Sequence, residues 1–411
     1  MREMKDSGMP WIGKIPNTWD LTKIKFVCKA RNEKGYYQKD KDKYLGLENV
    51  VGFSNTIIET ESSYENGIYD IYKAGDVLFN KLRPYLGKVI ISSDNGFCTG
   101  EFIRLYDFQG DIRFLRYWMI DQSFIDEVDN STYGAKMPRA NSNFILNLAI
   151  PRISYNEQNK IANYLDAKCA DIDALQQDLQ SEIEALKQYK KSIITEAVTK
   201  GLDKDVEMKD SGIPWIGKIP KEWNITKLGR LYCIRNTKVS DDKFSPLSVT
   251  KQGILPQQVS VAKSDDHDNR KLVKKGDFVI NSRSDRRGAC GISSLEGSVS
   301  LINIVLTPLG KMNPDYYNLL FHSIQFADEF YKWGHGIVDD LWTTRWQDMK
   351  KINVPIPSLF EQQRIANYLD TKCARIDSII QKKQELLANL DTYKKSLIYE
   401  YVTGKKEVPA I

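Results

Sequence analysis

Histidine occurs only three times in this 411-residue chain, and the six cysteines, at 28, 98, 169, 233, 290 and 373, never form a CxxC pair. Ligands so few and so scattered assemble neither a zinc site nor a disulfide framework, so reduced and mostly buried thiols are expected. No apolar run approaches the roughly 20 residues a membrane helix needs. The opening Met1-Arg2-Glu3-Met4-Lys5-Asp6 lacks the apolar core of a secretory signal. A cytoplasmic location without membrane contact is the expectation. Also missing are a GxxxxGK[ST] phosphate loop and any His-based triad, since His267, His322 and His335 have no counterparts elsewhere in the repeat described below. A methyltransferase needs a Gly-rich donor loop and, as a rule, an aromatic residue after Asn/Asp-Pro-Pro. Asn313-Pro314-Asp315-Tyr316 lacks the second proline and suits a helix start. No residue is nominated as catalytic and none as a metal ligand.

What is present is the balance of an ordinary soluble protein, 41% hydrophobic and 27% charged, with length enough for two or more domains. A net charge of +5 falls short of the strongly basic balance of a small nucleic-acid binder, so charge alone says little about partners.

The main signal is an internal repeat. Met4-Lys5-Asp6-Ser7-Gly8-Met9-Pro10-Trp11-Ile12-Gly13-Lys14-Ile15-Pro16 returns as Met208-Lys209-Asp210-Ser211-Gly212-Ile213-Pro214-Trp215-Ile216-Gly217-Lys218-Ile219-Pro220, a shift of 204 positions. Glu157-Gln158-Asn159-Lys160-Ile161-Ala162-Asn163-Tyr164-Leu165-Asp166 returns at the same shift as Glu361-Gln362-Gln363-Arg364-Ile365-Ala366-Asn367-Tyr368-Leu369-Asp370. Twice 204 nearly exhausts the chain, so two halves closing as a cycle with pseudo-two-fold symmetry, and offering two equivalent attachment faces, are expected. Between the repeated blocks the halves diverge. Fainter echoes remain, as between Lys73-Ala74-Gly75-Asp76 and Lys274-Lys275-Gly276-Asp277. Such divergence suits two readers of different targets, or else relaxed constraint.

From Glu157 to Val198 the chain contains no Pro or Gly, and Leu165, Ile172, Leu179, Leu186 and Ile193 recur every seventh residue, with Ile161, Leu175 and Tyr189 in intervening seam positions. The second half repeats the stripe with Leu369, Ile376, Leu390 and Leu397, plus Ile365, Ile379, Leu386 and Tyr393, interrupted at Lys372 and Lys383. Two helices of about 40 residues, each about 60 Å long, are predicted. They end near Gly201 and Gly404 and pair as an antiparallel coiled coil, a spacer rather than a cofactor box. The regions between read as globular α+β domains, with β-type runs at Val89-Ile90-Ile91 and Leu301–Leu306 and an amphipathic helix over Ile112–Val128. The domain reading is therefore 1–155 (with the repeated segment 4–25), a helix over 156–201, 202–356 (repeated segment 208–229), a helix over 357–404 and a tail, 405–411.

Two loops per half are candidates for reading DNA. The first carries Lys81, Arg83, Tyr85 and Lys88 in one half and Arg283, Arg286 and Arg287 in the other, in each case after the Gly-Asp echo. Arginine can grip guanine O6 and N7 bidentately, and lysine or arginine can hold phosphates. The second precedes each long helix, with Lys136 and Arg139 in one half and Trp342, Thr343 and Arg345 in the other. Met137 and Leu341 can equally be core anchors of these turns, and any one of the charges can be plain solvated surface.

Taken together, Ser-Gly-x-Pro-Trp-Ile-Gly-x-Ile-Pro at the start of each half and Glu-Gln-x-x-Ile-Ala-x-Tyr-Leu-Asp at the start of each long helix resemble the specificity subunits of type I restriction-modification systems. The resemblance covers essentially the whole chain. It implies two α+β target recognition domains, pseudo-two-fold related, joined by two antiparallel coiled-coil helices. Each domain would read one half of a bipartite, asymmetric double-stranded DNA site, and the helices would set the gap. It implies as partners two modification subunits that methylate adenine with S-adenosylmethionine, and restriction subunits that use ATP and Mg, with no cofactor in this chain. The helix residues Leu165, Ile172, Leu179, Leu186, Ile193, Leu369, Ile376, Leu390 and Leu397 are the expected spacer and partner-docking positions. The alternatives are a stand-alone DNA-modifying enzyme with unrecognised motifs and a protein-only scaffold.

Overall fold

The structure, a computed structural model, describes residues 2–134, 136–257, 268–336 and 342–409. Contacts divide it into two units, Met1–Leu179 with Gln384–Ile411, and Gln180–Lys383. The long helices run Tyr155–Lys200 and Leu359–Val402, so each unit holds one globular domain and a part of both helices.

The repeated opening segment folds the same way in both units. Met4–Asp6 pairs antiparallel with Lys14–Pro16, and Met208–Asp210 with Lys218–Pro220. The connection turns through Gly8 and Gly13 at φ 71° and 70°, and through Gly212 and Gly217 at φ 69° and 72°. Glycine enters that region without a steric cost, which accounts for both glycines of the motif. Ile12, Ile15 and Trp19, like Ile216, Ile219 and Trp223, are then buried in the main core of their unit.

Each domain is built on a four-stranded antiparallel sheet. In the first unit the order is Lys29–Ala30, Phe102–Tyr106, Val77–Asn80, Val89–Ile91; in the second it is Tyr232–Ile234, Asn303–Pro308, Phe278–Asn281, Cys290–Ile292. The central strands Val77-Leu78-Phe79 and Phe278-Val279-Ile280 are buried on both faces. Val77 and Phe79 face the helices, while Leu78 joins a smaller core against a second sheet, as the two-residue period of a strand requires. The apolar run expected from Leu301 starts as a strand only at Asn303, because Leu301 and Ile302 lie in the preceding turn.

The Gly-Asp echo has a structural cause. Gly75 and Gly276 sit at φ 86° and 87°. The following aspartates are buried, each accepting two hydrogen bonds from one guanidinium: Asp76 from Arg31 at 2.7 and 2.9 Å, Asp277 from Arg235 at 2.7 and 3.0 Å. Each also accepts the backbone N–H of the lysine that opens the turn, Lys73 or Lys274.

The single helix expected over Ile112–Val128 is two helices, Ile112–Ile120 and Gln122–Asn130. Asp121 turns the chain between them in an extended conformation, and its carboxylate accepts the N–H groups of Ser123 and Phe124 at 3.1 and 3.4 Å. The apolar rhythm runs on through the break, but an N-cap side chain outcompetes helix continuation. Burial also pushes the Asp121 carboxyl above its ordinary range. Ser323 caps the corresponding break in the second unit, between Pro314–Phe321 and Ile324–Lys332.

The glutamine of the Glu-Gln motif fastens each long helix to its domain. Gln158 accepts the Asp111 N–H at 2.8 Å and donates to the Ile153 carbonyl at 3.2 Å, and Gln362 accepts the Asn313 N–H at 2.8 Å and donates to the Pro357 carbonyl at 3.0 Å. Within each unit the helices run antiparallel. In the first, Asp173 pairs with Lys394, and the Tyr164 and Tyr401 rings lie 4.5 Å apart. In the second, Lys190 pairs with Asp377 at 2.6 Å, the same contact with the helices exchanged, and Lys383 pairs with Glu182. Lys383 thus joins the helices rather than interrupting their stripe.

Leu165, Ile172, Leu179, Ile193, Leu369, Ile376 and Leu397 are buried, and Leu186 and Leu390 are half-buried. The expected seam positions Leu175, Tyr189, Ile379, Leu386 and Tyr393 are instead exposed, and Ile183 is buried in their stead. An antiparallel partner closes a narrower stripe than a full heptad seam. The helices end alike, with Gly201 and Gly404 at φ 77° and 69°. Gly201 packs against Pro220 and Trp223, and Gly404 against Pro16 and Trp19.

Removing the carboxylate of Asp76 leaves the buried Arg31 with only the half-exposed Glu33, at 2.6 Å, as its counter-ion. Asp76→Ala is expected to cost about 3–5 kcal/mol. Asp277→Ala is expected to cost less, because the Arg235 side chain is 20% exposed against 8% for Arg31. Urea unfolding of both variants checks the order, with equal losses the contrary result.

Candidate nucleic-acid interface

The two candidate loops of each domain meet in space. In the first unit Leu82 bridges to Arg139, the Arg83 N–H donates to the Pro138 carbonyl at 2.8 Å, and the Ala140 N–H donates to the Lys81 carbonyl at 2.9 Å. In the second, Arg283 bridges to Thr343, and the Ser284 and Thr344 N–H groups donate to the Trp342 and Ser282 carbonyls at 3.0 Å each. Both copies make the same short antiparallel pairing at the same place.

An asparagine starts the loop in both. Asn80 Oδ1 accepts the Leu82 N–H at 2.9 Å and Asn281 Oδ1 accepts the Arg283 N–H at 3.0 Å, a side-chain turn that ends the buried strand. Sequence reasoning did not nominate these asparagines, although their identity in two otherwise different loops is a usable signal.

Arg83, Tyr85, Lys136 and Arg139 are exposed, as are Arg286, Arg287 and Arg345 in the second unit. Arg83 lies in the left-handed region at φ 53°, a conformation that costs a non-glycine residue about 1–2 kcal/mol. Arg139 pairs with Glu101, Arg286 lies 3.6 Å from Asp285, and Arg287 pairs with Asp328. The other nominees sit deeper. Lys88 is half-buried and donates to the Leu47 carbonyl at 2.7 Å. Burial lowers the half-buried Lys81 ammonium from its ordinary value, against the pull of Glu101. Arg283 is half-buried beside its bridge to Thr343.

Trp342 and Thr343 hold the second loop in place. The Trp342 indole donates to the Tyr331 carbonyl at 2.8 Å and lies so close over Gly334 that a Cβ there would clash with Nε1. Thr343 exchanges backbone hydrogen bonds of 2.9 and 3.0 Å with His335. Ala135, His267 and residues 337–341, including Leu341, lie outside the described residues. Met137 is 59% exposed and therefore no core anchor.

Among the described residues no group of His, Cys, Asp and Glu is placed to hold a metal ion, and no helix is long and apolar enough to cross a membrane. On the long helices, Leu175 and Tyr189 leave apolar surface exposed at positions whose equivalents, Ile379 and Tyr393, do the same. The nominated docking residues spend their surface on packing within the units.

Against known proteins, residues 220–388 match the type I restriction modification DNA specificity domain. Two specificity subunits of Methanocaldococcus jannaschii align over nearly their whole length. The putative MjaX subunit is 22% identical over 97% of this chain and 96% of its own, and the MjaVIII subunit 24% identical over 96% and 94%. The EcoDI specificity subunit of Escherichia coli is 20% identical over 48% of this chain, which spans less than half, 44%, of that protein. Among solved structures, a chain from work on complex assembly and conformational transition of the type I R-M system superposes with a TM-score of 0.72 at 16% identity, over 95% of this chain and 99% of that one. The HsdS subunit of Thermoanaerobacter tengcongensis gives 0.52 at 16% identity, over 95% and 98%. A duplicated α+β domain, a paired loop surface at the same place in each copy and these matches agree: nearly the whole chain is similar to the specificity subunits of type I restriction-modification systems, and residues 220–388 match their DNA specificity domain.

Proposed function

We propose that each globular domain reads one half of a split, asymmetric double-stranded DNA target with its joined pair of loops, and that the chain carries no catalytic site of its own. The observation that carries this reading is the recurrence of the loop pairing, Leu82 with Arg139 and Arg283 with Thr343, on two frames of like topology whose loop side chains differ. A common frame with different side chains suits two readers of different sequences. Arg83, Lys136 and Arg139 in one domain, and Arg283, Arg286, Arg287 and Arg345 in the other, would supply base and phosphate contacts. The length of the long helices would set the number of unspecified base pairs. One short half-site discriminates modestly, whereas two readers on one chain make the second contact intramolecular.

The partners in this reading are two modification subunits, supplying S-adenosylmethionine-dependent adenine methylation, and restriction subunits using ATP and Mg, all in the cytoplasm. The exposed equivalents Leu175 and Ile379, and Tyr189 and Tyr393, offer each modification subunit a similar apolar foothold.

Mapping adenine methylation across the genome of cells with and without this chain tests the reading directly. Methylation at one bipartite motif, lost without the chain, is expected, and an unchanged methylation pattern would refute it. In the same assay Arg83→Ala combined with Lys136→Ala is expected to weaken or relax one half-site, by about 1–3 kcal/mol per lost base contact, and leave the other intact. Equal loss at both half-sites would count against separate readers. Tyr189→Ser with Tyr393→Ser is expected to lower co-purification of the modification subunits without moving the unfolding midpoint of the chain alone.

A further inference from the structure

A cavity of about 350 Å3 opens in the first unit between the turn at Phe53–Thr56, the helix Ile112–Ile120 and the first long helix. Arg116 lies on its wall and is 5% exposed. Its Nε donates to the Val89 carbonyl at 3.1 Å, and no carboxylate among the described residues forms an ion pair with the guanidinium. Burying a cation without a counter-ion is costly, and buried arginines are as a rule paired.

The anions nearby are committed elsewhere. Asp166 accepts Arg113 and the Tyr117 hydroxyl at 2.8 Å each, and Asp173 is taken by Lys394. Burial raises the Tyr117 and Cys169 acid groups above their ordinary values, so both stay neutral. The cavity is thus lined by three cations, Arg113, Arg116 and Lys394, and two carboxylates; Arg113 also holds Asp111 at 2.6 Å outside the lining, and among the described residues Arg116 is the one of the three cations without an ion pair.

The second unit shows that the fold does not need this charge. Asn318 occupies the place of Arg116 and ties the helix to the same edge strand by accepting the Ile292 N–H at 3.1 Å, with a neutral side chain. We propose that the cavity binds a phosphate-type oxyanion, free or as the phosphoryl group of a mononucleotide, with Arg116 as its principal ligand and Ser54, Thr56 and Lys394 around it. A planar guanidinium fork matches a tetrahedral oxyanion at two oxygens, and the hydroxyls and the ammonium can serve the others. This site is separate from DNA reading and requires no partner subunit.

The test uses the full chain alone, titrated with potassium phosphate, with AMP and with potassium chloride at matched ionic strength, followed by calorimetry and by the unfolding midpoint. Phosphate or AMP is expected to give saturable heat and a rise in midpoint that chloride does not give. Tighter binding of AMP identifies a nucleotide as the source of the phosphoryl group, and equal or tighter binding of phosphate identifies the free anion. Arg116→Gln is expected to weaken binding about ten- to a hundredfold, the range for a charge-assisted hydrogen bond. Thr56→Val, at the exposed rim, is expected to weaken binding severalfold while the unliganded midpoint stays in place, which keeps the test decisive if Arg116→Gln fails to fold. No response beyond that of chloride, or a response untouched in both variants, overturns the proposal.

Discussion

Both domains depend on a glutamine whose two ends are occupied. Gln158 and Gln362 each accept the N–H of the residue that caps a domain helix and donate to a carbonyl just before their own long helix. A primary amide is suited to this, since it offers an acceptor and a donor about 2 Å apart on one rigid plane. Both residues are almost wholly buried, so the two bonds form where water cannot substitute for them. The orientation of the paired candidate loops relative to the helix start follows from this tie, because the sheet and its helices form one packed core with it.

Much of this frame was legible in the sequence because it is written twice. The repeated blocks marked the opening segment as shared by the two halves and gave the helix starts and ends, while the hairpin within that segment came only from the structure. The Gly-Asp echo located the strand that leads into the first candidate loop. What escaped depends on contacts distant in sequence. The rhythm of Ile112–Val128 gives no hint that Asp121 prefers to cap rather than continue a helix. The heptad stripe names every position able to face a partner, but the antiparallel pairing decides that Ile183 is covered while Leu175 and Tyr189 are not. The joining of the two candidate loops is likewise a long-range pairing, Leu82 to Arg139 and Arg283 to Thr343, with no local signature.

The offset between the copies locates their freedom to vary. It is 204 at the opening hairpins, 201 at the central strands Val77–Asn80 and Phe278–Asn281, 202 at the first domain helices and again 204 at the strands Ala149–Arg152 and Asn353–Ile356. Three residues are absent from the second copy ahead of its central strand, and most of the deficit is made good in the stretch that carries the second loop. Length changes are thus confined to connections, where a closed loop tolerates them at little entropic cost.

The way the helices end has a consequence for the order in which the protein matures. Gly201 meets Trp223 about twenty residues further along, so the second unit is one unbroken stretch of chain, Gln180–Lys383. Gly404 meets Pro16 and Trp19, and the Lys405 ammonium donates to the Ile12 carbonyl at 2.7 Å across almost the full length of the polypeptide. On a ribosome adding about 5–20 residues per second, the first-made domain must wait roughly 10–45 s for its closing helix. The domain made second is therefore the first that can be finished, and the earlier one spends that interval with part of its apolar core unsheltered, the period in which a chaperone or an early-bound partner has most to offer.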